Sequence, residues 1–124
     1  MMIRVCETNE TAAIHAIIND AAVAYKGRIP NDRYREPYMT MSELERELEE
    51  GVRFWGCTDE GGELIGVMGL QDKGEVSLIR HAYVRTTARN QGVGGKLLHD
   101  LLERTAQPVL IGTWADASWA IRFL

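Results

Sequence analysis

The sequence contains no apolar run approaching the roughly 18–20 residues that cross a bilayer, so a membrane span is not expected. Cysteine is scarce. Cys6 and Cys57 are the only two in 124 residues, they have no metal-ligand spacing, and both fall in apolar, strand-like stretches. They read as buried thiols of a reducing compartment rather than a structural disulfide, which makes the cytoplasm the expected location. Three prolines and twelve scattered glycines exclude a fibrous repeat or a low-complexity chain. Neither sign of charge accumulates: 14 Lys and Arg are interleaved with 18 Asp and Glu, for a net charge of -4. Without a basic stripe, neither nucleic acid nor an anionic membrane is expected as a partner. The opening MMIRVCETNE is too polar for the apolar core of a signal peptide.

What is present suits one domain over residues 1–124. Hydrophobic residues make up 45% of the chain, enough for a single α/β core. Residues 3–6 alternate as a short strand. Thr8 or Asn9 can cap a helix running to about residue 25, with an apolar stripe of Ala13, Ile17, Ala21 and Ala24. Residues 26–40 read as a loop. Ser42 followed by Glu45 is a capping-box pattern that opens a short helix with Leu44 and Leu48 on one face. The acidic run 43–50 then reads as a solvated helix face. Strands are expected at 52–58, 63–70 and 75–84, joined by glycine-containing turns at 59–62 and 72–74, which fits three consecutive antiparallel strands. A helix over about 92–105 would bury Leu97, Leu98, Leu101 and Leu102. A fifth strand at 108–113 and helical character from 115 complete a β-α-α-β-β-β-α-β-α order. The last helical pattern reaches Leu124 with no C-cap glycine, so further strands, or another chain, are expected to cover the open sheet edge.

The most informative stretch runs from Ala82 to Leu98. It reads as strand, turn, glycine loop and helix start. Gly92, Gly94 and Gly95 leave the backbone open to a ligand, and a helix N-terminus carries about half a positive charge. Arg89 and Lys96 add cations, so the segment forms an anion cradle fit for a phosphate or pyrophosphate. It is not a P-loop, because GVGGKL lacks both the spacing and the hydroxyl after lysine. Nor is it a dinucleotide fingerprint, because Leu97 stands where a third small residue is needed. What remains is R-x-x-G-x-G, formed by Arg89, Gly92 and Gly94.

This arrangement resembles motif A of the GNAT superfamily, commonly V-x-P-x-x-R-G-x-G-[IV]-G, with Thr86 in place of the proline and Asn90 in place of the first glycine. The resemblance extends over nearly the whole chain. It implies a mixed α/β fold: a central, mostly antiparallel sheet flanked by helices, its C-terminal strands lying past this sequence. It implies acetyl-CoA as co-substrate, no metal, and acetyl transfer to a primary amine by direct attack in a ternary complex. The pyrophosphate would lie on Arg89, Asn90, Gln91, Gly92, Val93, Gly94, Gly95 and Lys96. The pantetheine would run along backbone from Ala82 to Val84, where that strand splays from the one at 108–113.

In this family the base often comes from the strand before the glycine loop, here carrying Glu75, Arg80, His81 and Tyr83. His81 has a suitable intrinsic pKa and would equally serve as a structural residue. Strand parity puts it on the face opposite Arg80, although a bulge, common in this strand of the family, would change that. The family's acid is a tyrosine in N-x-x-A-x-x-F-Y. Ala120 and Phe123 match that pattern, but Ala117 and Leu124 stand where asparagine and tyrosine are usual. Tyr83 or a water would then protonate the thiolate. The acceptor pocket would draw on the loop with Tyr34 and Tyr38 and on Trp114 and Asp116, for a small-molecule or peptide amine. A homodimer is compatible with the resemblance. The competing expectations are a non-catalytic acyl-CoA-binding or regulatory module and a chain that is either a folding-incompetent fragment or a subunit completed by another chain.

Overall fold

Five strands hydrogen-bond in the order in which they occur along the chain. The computed structural model describes residues 1–22, 39–88 and 91–111. Strands β1 (Met2–Val5), β2 (Arg53–Thr58), β3 (Leu64–Asp72) and β4 (Ser77–Val84) are antiparallel neighbours, and β5 (Val109–Ile111) joins β4 in parallel. Helices α1 (Thr11–Ala21) and α2 (Met41–Glu49) precede β2, and α3 (Val93–Arg104) lies between β4 and β5. The expected element order therefore holds through β5, and the sheet is mostly antiparallel and flanked by helices. The helix expected from residue 115 lies outside the described residues.

Both faces of the sheet are covered. On one, Ile14, Ile17, Ile18 and Ala21 of α1 and Leu44 of α2 pack against Phe54, Val67 and Tyr83. On the other, Val93, Leu97, Leu98 and Leu101 of α3 pack against Cys57, Met68 and Ile79. Burying each of these large aliphatic side chains stabilises the fold by about 1.5–3 kcal/mol. Cys57 is buried and Cys6 half-buried, and both are free thiols.

Several expectations need correction. Thr8 and Asn9 do not cap α1; they lie in a 3-10 turn, Thr8–Glu10, ahead of it. The Glu10 carboxylate accepts the Glu7 amide at 2.8 Å and the Arg4 guanidinium at 2.7 Å, which tightens that turn. Among the described residues the buried stripe of α1 is Ile14, Ile17, Ile18 and Ala21, with Ala13 at its margin; Ala24 and the helix end expected near residue 25 lie outside them. Helix α2 is capped by Thr40 with Glu43, not by Ser42 with Glu45: the Glu43 amide donates to Thr40 Oγ1 at 3.2 Å. The earlier start adds Met41 to the apolar face of Leu44 and Leu48. On α3, Leu102 is 46% exposed, outside the buried stripe.

The connection between α1 and α2 is pinned where it ends. Asn19 and Met39 exchange two hydrogen bonds: the Met39 amide donates to Asn19 Oδ1 at 2.9 Å, and Asn19 Nδ2 donates to the Met39 carbonyl at 3.0 Å. His15 Nε2 donates to the same carbonyl at 2.9 Å.

Candidate active site

A single inserted residue shapes the centre of β4. Gly69 pairs with His81 and Leu70 with Ile79, so Arg80 has no register partner in the β3 backbone and forms a β-bulge. The extra residue re-aims the side chains that follow. Ile79 lies in the core beneath α3, while His81 and Tyr83 face α1 and α2. Simple parity, which separates Arg80 from His81, is thereby overturned: both reach the same carboxylate.

That carboxylate belongs to Glu47 of α2. His81 Nε2 lies 2.8 Å from Glu47 Oε1, and Arg80 Nη2 lies 3.3 Å from the same oxygen. The His81 and Glu47 side chains are only 11% and 12% exposed. Burial raises the Glu47 carboxyl, but the hydrogen bond and charge of His81, with Arg80 behind them, outweigh burial and hold it below its ordinary value. An ionised carboxylate only accepts, so the shared hydrogen sits on His81 Nε2. Arg80 is itself held by Gln71, whose Oε1 accepts from Arg80 Nη1 at 3.0 Å and whose Nε2 donates to the Glu50 carbonyl at 2.9 Å. The rings of Phe54 and Tyr83 both stack on the imidazole, each at 5.9 Å between centroids. His81 Nδ1 is buried and has no hydrogen-bond partner among the described residues.

Glu47 was not legible as a site residue. The acidic run reads as a solvated face, and Glu45, Glu49 and Glu50 do face solvent. One signal was available: Glu47 follows Leu44 by three residues and so borders the apolar stripe.

Among the described residues β4 pairs with β5 at Ser77, Leu78 and Ile79, and the described part of β5 ends at Ile111, opposite Ile79; the stretch from Arg80 to Val84 follows the bulge. Ala82 and Val84 lie on this stretch, packed toward α3. The strand is then locked at its exit, where the Arg85 amide donates to the Ile65 carbonyl at 2.8 Å and Arg85 Nε to the Leu64 carbonyl at 3.0 Å.

A 3-10 turn, Thr86–Ala88, follows. Thr86, standing where the family pattern has proline, uses the N–H that proline lacks: it donates to Asp20 Oδ2 at 2.8 Å, and its hydroxyl donates to Asp20 Oδ1 at 3.3 Å. The turn that leads to the glycine segment is thus tied to the end of α1.

Gly92 caps α3 in the left-handed conformation, at φ 75°. The Lys96 amide makes the first helical bond, to the Gly92 carbonyl at 3.0 Å. The amides of Val93, Gly94 and Gly95 come before it, in the first turn, where helix geometry offers no carbonyl to receive them. Gln91, Gly92 and Lys96 are exposed. Of the remaining expected site residues, Arg89 and Asn90 of the loop and Tyr34, Tyr38, Trp114 and Asp116 of the acceptor pocket lie outside the described residues. Among the described residues no group of three His, Cys, Asp or Glu is placed to hold a metal, and no helix is long and apolar enough to cross a membrane.

Comparison with known proteins agrees with this arrangement. The family model for the acetyltransferase (GNAT) family matches residues 11–124. A ribosomal-protein-alanine N-acetyltransferase from Brucella melitensis has a similar structure, with a TM-score of 0.73 at 23% identity over 99% of this chain and 80% of that one. The ribosomal-protein-S18-alanine N-acetyltransferase from Escherichia coli gives a TM-score of 0.77 at 17% identity, over 98% of this chain and 72% of that one. A GNAT-family acetyltransferase from Staphylococcus aureus gives 0.67 at 19% identity, over 98% and 78%. No curated protein matches by sequence. The chain belongs to the GNAT acetyltransferase family, which implies acyl transfer from an acyl-CoA.

Proposed function

We propose that this chain transfers an acetyl group from acetyl-CoA to a primary amine by direct attack in a ternary complex. The observation that carries the reading is the amide-rich start of α3 behind the left-handed Gly92, reached from β4 through one short turn. An extended pantetheine needs unspent backbone donors and acceptors along one edge. A diphosphate needs amides unspent by the helix and a positive helix end. The start of α3 offers the second, the backbone of Ala82 and Val84 is the proposed source of the first, and Lys96 adds an exposed cation. Acetyl-CoA, when bound, supplies an acetyl group activated as a thioester.

The residues of the chain have distinct tasks in this reading. Backbone amides near Ala82 to Val84 align the pantetheine, and one donor aimed at the developing oxyanion contributes about 3 kcal/mol. The acceptor must attack as a free amine, and deprotonating a lysine-like amine at pH 7 costs roughly 4–5 kcal/mol. His81 Nδ1 takes the proton that the acceptor nitrogen sheds as that nitrogen bonds to the acyl carbon. The carbon–sulfur bond breaks and the sulfur keeps its electron pair. Tyr83, two residues further along the same face, is the proposed source of the proton returned to sulfur. Two of the similar structures are named for acetylating an alanine of a ribosomal protein, so peptides with an alanine amine belong on the acceptor panel beside small amines.

Calorimetry with acetyl-CoA and a thiol-release assay across that panel test the proposal. Binding is expected, with turnover for at least one amine; binding with no turnover on any amine would make the chain an acyl-CoA-binding module instead. Gly94→Leu places a side chain in the phosphate seat and is expected to weaken CoA binding at least about tenfold, or about 1.4 kcal/mol. Unchanged affinity would refute the loop assignment.

A further inference from the structure

We propose that Glu47 of α2 is a positioning residue for His81, holding the imidazole by its Nε2–H so that the ring lone pair is carried by Nδ1, the atom proposed above to take the acceptor's proton. The inference rests on the acetyl-transfer reading above, and the geometry makes it specific. An imidazole on a strand has two soft torsions, and two kinds of contact remove them here. Phe54, stacked nearly parallel at 13°, and Tyr83, at 28°, set the plane of the ring. Gly69 helps: it stands between Phe54 and His81 in the cross-strand row, and a Cβ there would lie 3.1 Å from Phe54 Cε1. The 2.8 Å bond from Nε2 to Glu47 then selects which ring edge faces the helix.

The carboxylate is held in turn. Arg80, the bulge residue, approaches it at 3.3 Å. Gln71 anchors that guanidinium and bonds to the Glu50 carbonyl just after α2. Strand β3, strand β4 and helix α2 therefore all fix one oxygen. With Arg80 beside it the carboxylate stays an anion, so the proton that His81 collects is not passed on to Glu47. Nδ1 is the ring atom left over.

The test is a double-mutant cycle with a spectroscopic arm. Glu47→Ala is expected to lower kcat about 10- to 100-fold, the scale of a misplaced catalytic group, with KM for acetyl-CoA changed by less than about twofold. Glu47→Gln keeps an acceptor oxygen and is expected to retain most of the activity. In a His81→Ala background, Glu47→Ala should lower kcat by no more than about twofold, because there is no ring left to position. An equal loss in both backgrounds would mean a merely structural role and overturn the proposal. Independently of turnover, the imidazole Nε2 proton should be seen by NMR as a slowly exchanging signal in the wild type and Glu47→Gln, and be lost in Glu47→Ala. Its persistence in Glu47→Ala would also overturn the proposal. An enzyme inactive on every amine that still shows the Nε2 signal would refute acetyl transfer and leave the Glu47–His81 contact standing.

Discussion

A Cβ on Gly66 would stand 2.7 Å from Val93 Cγ1 and 3.4 Å from Leu97 Cδ1. Both contacts belong to the first turns of α3, the part of the helix that presents the free amides. Gly92 has the opposite problem. A Cβ there meets nothing within 4 Å, but its φ is 75°. The two glycines are therefore required for different reasons, and substitution separates them. Gly66→Ala is expected to push α3 away from β3, costing about 1–3 kcal/mol of stability by overpacking, and to weaken acetyl-CoA binding as the amides shift. Gly92→Ala is expected to cost only about 1–2 kcal/mol through the left-handed backbone. Thermal unfolding and calorimetry on the pair check this; a Gly66→Ala protein with native affinity would show that the helix start does not depend on that close approach.

Between elements, the Thr86–Asp20 contact has the most specific consequence. Thr86 opens a 3-10 turn, a position where proline's fixed φ is tolerated, so Thr86→Pro should fit the backbone while deleting both the N–H and the hydroxyl. Asp20 is half-buried and would lose both donors, at a cost of at least about 1.5–3 kcal/mol, the scale of one bond to a charged group. The same substitution in an Asp20→Ala background should cost close to nothing. Equal costs in both backgrounds, measured by urea unfolding, would mean that the contact contributes no stability. This clasp was not visible in the sequence, where Thr86 registers only as a departure from a pattern. The strands, by contrast, were legible to within two residues wherever their ends are described, because period-2 alternation and the turn glycines are local signals. The start of α3 was legible for the same reason. Two things were not. Thr40 and Ser42 each have a glutamate three residues on, and only packing of Met41 beside Leu44 and Leu48 decides between them. Which acid of α2 turns inward depends on that choice together with the bulge at Arg80, a long-range fact no local pattern contains.

For the molecule as a whole, the perturbed groups define a pH window. Glu10 is held at about 2, against an ordinary 4.5, chiefly by the Arg4 hydrogen bond and then by the Glu7 amide. Glu47 is held low as well, burial notwithstanding, by His81 and Arg80. Both carboxylates bind protons more weakly in the folded state. Their contribution to stability is therefore present above about pH 4.5 and is lost as pH falls below it, for Glu10 toward about 2. At the other end, burial pushes the Cys6 thiol up to about 11 and raises Cys57. The unfolded thiols ionise near pH 9, so the folded state loses ground as pH rises from there toward about 11. Urea midpoints should form a plateau between roughly pH 5 and 8 and fall on both sides. Glu10→Gln should flatten part of the acid limb, and Cys6→Ala part of the alkaline one. Salt separates the two acidic contributions: the Arg4–Glu10 pair is partly exposed and should weaken over a Debye length of about 8 Å, whereas the Glu47 cluster, buried against β4, should not. An acid limb equally salt-sensitive in wild type and Glu10→Gln would show that the inner cluster is open to solvent, and the arrangement around His81 would fall with it.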